Sequence, residues 1–178
     1  MQIEKKLVQW YLSHKRDLPF RINQDPYRVW ISEIMAQQTQ IDTLIPYYER
    51  WMNQYPTLDE LSLAEDEELY RLWEGLGYYS RVKNIKKAAL ILSNDYNNVF
   101  PTHKHEIEKL PGIGDYTSSA IASICFNEKT AAIDGNVKRV MSRLFTLDEN
   151  EDKKYFYNFV KSQIEDWMIQ VEPTHLTQ

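Results

Sequence analysis

Cysteine is almost missing from this chain: Cys125 is the one thiol in 178 residues. No internal disulfide can form, and such sparse usage fits a reducing compartment. Long apolar runs are missing too, and none approaches the ~20 residues of a membrane span. The start, Met1-Gln2-Ile3-Glu4-Lys5-Lys6, lacks the charged start and apolar core of a signal peptide. We therefore expect a soluble cytoplasmic protein without a membrane partner. No run of four or more residues alternates as a strand. Positive charge is not in surplus, with 21 Lys and Arg against 26 Asp and Glu and a net charge of −5. That counts mildly against nucleic acid, whose binding rests on Lys and Arg neutralising phosphates.

The charge is unevenly placed. Asp59, Glu60, Glu65, Asp66, Glu67 and Glu68 form an acidic block. Arg81, Lys83, Lys86 and Lys87 form a basic one, and Lys138, Arg139 and Arg143 another. Each block alone reads as a solvated helix face; together they also fit a nucleic-acid face and a face turned away.

Periodicity is helical nearly throughout. Leu69, Leu72, Trp73 and Leu76 recur at helical spacing, as do Val82, Ile85 and Ala89, then Val137, Val140, Met141 and Leu144. Phe156, Phe159, Val160 and Trp167 make a last stripe. Asp25-Pro26 reads as an N-cap with proline at the first helical position, and Thr57 with Glu60 as a capping box. The expected fold is an all-α bundle of about seven to nine helices.

Glycine is scarce, with five residues in three places: Gly75 and Gly77, Gly112 and Gly114, and Gly135. Each place sits beside polar residues that a purely structural turn does not need. Leu110-Pro111-Gly112-Ile113-Gly114 lies between two helical segments, at about 104–110 and 116–126. Such a hairpin presents backbone N–H groups at a helix N-terminus, a phosphate-binding geometry; the plainer reading is a helix–turn–helix corner. Asp134 in Ile133-Asp134-Gly135-Asn136 reads first as an N-cap. Glu33 lies among Ile31, Ile34 and Met35. A carboxyl desolvated there holds its proton toward neutral pH, whereas on a solvated face it does not. Gln37-Gln38-Thr39 is a polar break in a helical pattern. Gly75-Leu76-Gly77-Tyr78-Tyr79-Ser80-Arg81 combines a turn, paired aromatics and a basic helix, a pattern suited to base stacking beside phosphate, or simply to core tyrosines.

These strings, in this order, resemble the helix-hairpin-helix DNA glycosylases. Leu110-Pro111-Gly112-Ile113-Gly114 is similar to the superfamily hairpin. Three details resemble the MutY-type adenine DNA glycosylases. Ser32-Glu33-Ile34-Met35-Ala36-Gln37-Gln38-Thr39 is similar to their Ser-Glu-Val-Met-Leu-Gln-Gln-Thr. Gly75 to Arg81 matches their Gly-Leu-Gly-Tyr-Tyr-Ser-Arg, and Asp134-Gly135-Asn136 their Asp-Gly-Asn. The resemblance runs from about Leu7 to Thr146.

It implies a two-lobed helical fold with the site in the cleft: 1–24 belonging to the second lobe, 25–145 a six-helix barrel with the hairpin, and 146–178 the start of the C-terminal lobe. It implies a bacterial, nucleoid-associated monomer acting in base-excision repair on double-stranded DNA with an A:8-oxoguanine or A:G mispair. Glu33 would protonate the adenine, and Asp134 would stabilise the sugar cation. Asn136 and Tyr116 would position water, sugar and Asp134. Gln38 and Tyr78 would enter the duplex where the adenine is flipped out. Arg21, Arg81, Gly112, Gly114 and Lys138 would also contact DNA, and the carbonyls of Leu110 and Ile113 would bind a monovalent cation. Tyr116 stands where strand-cleaving relatives carry the Schiff-base lysine, which implies a monofunctional enzyme.

The sequence departs from that family in three places. Phe20 stands where tryptophan is usual, and Ala36 where leucine is. The family continues into four cysteines that ligate a [4Fe–4S] cluster, then into a domain that reads 8-oxoguanine. The expectation is that this chain stops before that segment, binds no cluster itself, and leaves Phe156, Phe159 and Trp167 uncovered. The alternatives are a non-catalytic, truncated DNA-binding remnant, or a mismatch glycosylase for thymine or uracil.

Overall fold

The computed structural model describes residues 2–147 and 152–178, which are helical with no strand among them. Helix α1 spans Ile3–His14, α2 Pro26–Ala36, α3 Ile41–Gln54, α4 Leu58–Leu63, α5 Asp66–Trp73 and α6 Ser80–Tyr96. Helix α7 spans Lys104–Ile107, α8 Asp115–Phe126, α9 Gly135–Phe145, α10 Lys153–Gln170 and α11 Pro173–Thr177, and a 3-10 turn covers Pro19–Arg21. The number exceeds the seven to nine expected because α4, α7 and α11 have only 6, 4 and 5 residues. Helices that short show no period.

Local chemistry sets the boundaries. The Asp25 carboxylate accepts the Arg28 N–H at 2.9 Å, just ahead of Pro26. At α4 the capping box is complete: Thr57 Oγ1 accepts the Glu60 N–H at 3.3 Å, and Glu60 Oε2 accepts the Thr57 N–H at 3.0 Å. Type II turns follow at three places. They are closed by Thr39 N–H to Ala36 O (3.2 Å), Leu76 N–H to Trp73 O (3.0 Å) and Ile113 N–H to Leu110 O (3.1 Å). Their third residues are Gln38, Gly75 and Gly112, with φ of 58°, 97° and 78°. Glycine is the usual choice there, and Gln38 is the exception.

The larger core joins α2, α3, α5, α6 and α8 around Trp30, Trp51 and Trp73, each 0% exposed. Trp51 meets Trp73 edge-on at 5.8 Å. Phe20 packs on Tyr48 in the same way, at 5.6 Å. A smaller core holds Ala131, Ile133, Met141, Phe156, Val160, Ile164 and Met168. The seam between the cores therefore runs near Ala132, and α9 shares its core with α10. The sequence placed α9 in the 25–145 unit; its Val137, Met141 and Phe145 instead turn toward α10. Val140 and Leu144, from the same expected stripe, face outward at 55% and 43% exposed. Phe156, expected to be uncovered, is 1% exposed inside this second core. Phe159 and Trp167 are half-buried, both against Phe145.

Helix α11 ties the chain's end to the larger core. Thr174 Oγ1 donates to the Ile124 carbonyl at 2.6 Å, at the end of α8. Helix α1 packs on α10 and α11. No described helix is long and apolar enough to cross a membrane.

Candidate active site

One cavity of about 750 Å³ collects residues that lie far apart in sequence. Its walls include Arg21, Glu33, Gln38, Tyr116, Asp134 and Asn136. Its size suits a small organic group, and its paired carboxylates suit proton transfer. Glu33 reaches it from α2, Tyr116 from the first turn of α8, Asp134 and Asn136 from the start of α9, and Arg21 from the 3-10 turn.

Glu33 comes from a helix whose neighbouring side chains, Ser32, Ile34 and Met35, are all buried. Desolvation by that burial pushes its pKa above the usual 4.5, and the Asp134 charge pushes the same way. A hydrogen bond from Tyr116 and the charge of Arg21 oppose the rise without cancelling it. Tyr116 is also pushed up, first by burial and then by the Glu33 and Asp134 charges, so its phenol stays protonated as a donor. The result is two carboxyls in one cavity, one of them biased toward its neutral form.

Asp134 is both an N-cap and a cavity wall. Its Oδ1 accepts the Val137 N–H at 2.8 Å. Its Oδ2 accepts from Asn136 Nδ2 at 2.9 Å. Asn136 Oδ1 in turn accepts from Arg139 Nη2 at 2.8 Å. Capping fixes the carboxylate's rotamer, so the structural and the chemical readings of Asp134 describe one geometry. The Arg139 contact orients the Asn136 amide.

The remaining predicted residues lie outside the cavity lining. Gly112 needs its φ of 78°, and a Cβ there would stand 2.7 Å from Asn84 Cβ. A Cβ on Gly114 or Gly135 would meet nothing within 4 Å, and neither has a left-handed φ. Nothing inside the chain demands glycine at either helix start, so both backbones are open to an outside group. Tyr78 is 64% exposed. Lys138 lies on α9, half-buried.

Arg81 requires correction. It is 9% exposed, and its guanidinium donates to the carbonyls of Ile34, Met35, Gln37, Leu76 and Gly77 at 2.7 to 3.2 Å. The acceptors it meets are backbone carbonyls, not phosphates. Lys86, from the same basic block, likewise donates to the carbonyls of Ser62 and Ala64, at 2.8 and 2.6 Å.

The cavity also contains two residues that were not expected there. Thr177 and Gln178 line it from the chain's far end, and no local pattern marks such a contact.

The [4Fe–4S] cluster of related proteins needs four thiolates, and this chain has one cysteine. Cys125 lies in α8, with its thiol pushed up to about 12 by burial, the reverse of what a ligating thiolate needs. The residues present do not fit that group. At the hairpin, the Leu110 carbonyl already accepts the Ile113 N–H, which leaves it one lone pair for a cation.

A profile of the HhH-GPD superfamily of base excision DNA repair proteins matches residues 31–165, and this chain belongs to that superfamily. It is 43% identical over 160 residues to a protein named adenine DNA glycosylase from Buchnera aphidicola (subsp. Baizongia pistaciae). That match covers 89% of this chain and 45% of the relative. It is 43% identical over 147 residues to the Homo sapiens protein of that name, covering 78% of this chain and 27% of the relative. The chain thus spans less than half the length of these curated relatives. Among solved structures, a thermostable thymine-DNA glycosylase superposes with a TM-score of 0.85 at 24% identity, over 98% of this chain and 82% of that one. A trapped endonuclease III–DNA covalent intermediate superposes at 0.76 and 22%, over 98% and 80%. These two likenesses establish the fold.

Proposed function

We propose that this chain is the catalytic core of an adenine DNA glycosylase that removes adenine mispaired with 8-oxoguanine or guanine. The observation that carries the reading is the cavity that Glu33 and Asp134 share, which Tyr116 and Asn136 also line. The name carried by the relatives supplies the base.

Protonated Glu33 gives its proton to the flipped adenine. The N-glycosidic bond then breaks with its electron pair leaving on the base. The positive charge left on the sugar faces the Asp134 carboxylate, and water adds at that carbon, its proton passing to the carboxylate that Glu33 has become. Asn136 holds the Asp134 carboxylate, and Tyr116 holds Glu33. Tyr116 has no amine, so no Schiff base forms and the strand stays intact. A phosphate beside the flipped nucleotide meets the N–H groups at Gly112 and Gly114. The carbonyls of Leu110 and Ile113 are the acceptors for a monovalent cation there.

Single-turnover excision tests this with A:8-oxoguanine, A:G, T:G and U:G duplexes. Adenine is released from the first two. Glu33→Gln lowers the rate by about 10²- to 10⁴-fold, the usual worth of general acid catalysis. Asp134→Asn, which keeps a capping side chain, also loses excision. Borohydride traps no adduct through residue 116. Release of thymine or uracil instead of adenine would sink the choice of base, and full activity of Glu33→Gln would sink the assignment of the acid.

A further inference from the structure

Gln38 and Tyr78 are exposed turn tips whose backbones adopt a conformation their side chains disfavour. Gln38 has φ 58° and Tyr78 has φ 47°. Non-glycine residues persist there only where their surroundings over-determine them. Here one side chain supplies much of that determination.

Arg81 Nη1 donates to the Gln37 carbonyl at 2.7 Å, and to those of Ile34 and Met35 at 2.9 and 3.2 Å. Its Nη2 donates to the Leu76 and Gly77 carbonyls at 2.8 and 3.2 Å. The Gln37 carbonyl belongs to the peptide unit that leads into Gln38, and the Gly77 carbonyl to the one that leads into Tyr78. A single planar fork therefore fixes the peptide plane before each left-handed residue. It also sets the two tips one guanidinium apart. The same guanidinium lies 5.1 Å from the Trp73 ring centroid and 5.7 Å from that of Tyr78, which anchors the fork itself.

We infer that Arg81 is a positioning residue that locks Gln38 and Tyr78 as two prongs of one rigid wedge aimed into the DNA base stack. This rests on the glycosylase reading above. An ammonium cannot take the role: it is a point charge with three donors, and it cannot span two loops as a planar fork does. The wedge acts before chemistry, because the target base must leave the stack to reach the cavity beside Gln38.

The test compares Arg81→Lys with the wild-type chain in three readouts. One is the fluorescence of 2-aminopurine placed opposite guanine, with Glu33→Gln added to both proteins so that unstacking is read apart from excision. The others are single-turnover excision of adenine from an A:G duplex and from a single-nucleotide bulge. Arg81→Lys should reduce the fluorescence rise and slow duplex excision by about tenfold or more, with a far smaller loss on the bulge. Equal losses on both substrates, or no loss on either, would overturn the proposal. If the wild-type chain excises nothing, the glycosylase reading fails; the fluorescence comparison still decides the wedge. Should Arg81→Lys fail to melt cooperatively, hydrogen exchange in the wild-type chain decides instead. Segments 36–40 and 75–79 must then open together, and independent opening overturns the proposal.

Discussion

Glu33 carries the site's largest physical tension, a carboxyl in a wall made by its own helix's apolar face. Its raised pKa fixes the sign of two pH effects. The acid works while protonated, so the excision rate falls as pH rises through the folded-state pKa. Stability moves the same way. The unfolded chain ionises Glu33 near its usual 4.5, whereas the folded chain holds the proton to higher pH. Stability therefore drops across that window as pH rises and stays lower above it. Glu33→Gln removes the drop. It should raise the melting temperature at about pH 8, leave it unchanged at about pH 4, and abolish the leaving-group assistance. A variant less stable than wild type at both pH values would contradict the desolvated carboxyl. Glu33 could be chosen from sequence because a charge among Ile31, Ile34 and Met35 is conspicuous. Arg21 was expected at the DNA; its place beside Glu33 was not legible, because that contact joins a 3-10 turn to a helix through space.

At the scale of elements, the hairpin separates glycines kept for the fold from those kept for a ligand. Gly112 has a left-handed φ, and an added Cβ would crowd Asn84. Gly112→Ala should cost about 1–3 kcal/mol. Gly114 starts α8 with open space where a Cβ would point. Gly114→Ala should leave the melting temperature within a few degrees, an effect of about 0.5 kcal/mol or less, while weakening duplex binding. Chemical denaturation and a binding titration on the pair test this; equal stability losses would refute it. Helices α5, α6 and α10 were legible because apolar period survives over their turns, α7 and α8 because the glycine hairpin separates them, and the start of α4 through its capping box. Helices α3 and α11 were not. Arg81 was misread for a related reason: a sequence shows a donor and its neighbours, but not whether carbonyls or phosphates will accept from it. The spent charge of Arg81 is visible only once α2 and the Gly75–Gly77 turn are brought together.

For the whole molecule, the question is how a chain of net charge −5 holds DNA. The acidic residues from Asp59 to Glu68 lie on α4, α5 and the loop between them, away from the cavity's lining. Of the first basic block, Arg81 and Lys86 are committed to carbonyls. Lys83 and Lys87 line a hollow between α5 and α6 that Asp66 also lines. A footprint at the cavity would draw on the backbone N–H groups at the starts of α8 and α9 and on Lys138 and Arg139, which follow Asp134, with Arg139 exchanging its contact to Asn136 for a phosphate. That is a small set, and it implies a shallow salt dependence. If roughly three phosphates are neutralised, affinity should fall by roughly 30- to 50-fold between about 50 and 200 mM salt, not the 10³-fold or more of proteins with larger footprints. Lys138→Gln should weaken binding to any duplex and reduce the slope of log K against log salt by about one. Lys87→Gln should leave the slope alone, because its side chain lines the hollow between α5 and α6, outside the lining of the cavity that holds Glu33 and Asp134. Fluorescence anisotropy on a plain duplex across that salt range measures both. A slope that falls on Lys87→Gln and not on Lys138→Gln would move the DNA to the α5–α6 side. It would then separate the binding face from the cavity that holds Glu33 and Asp134.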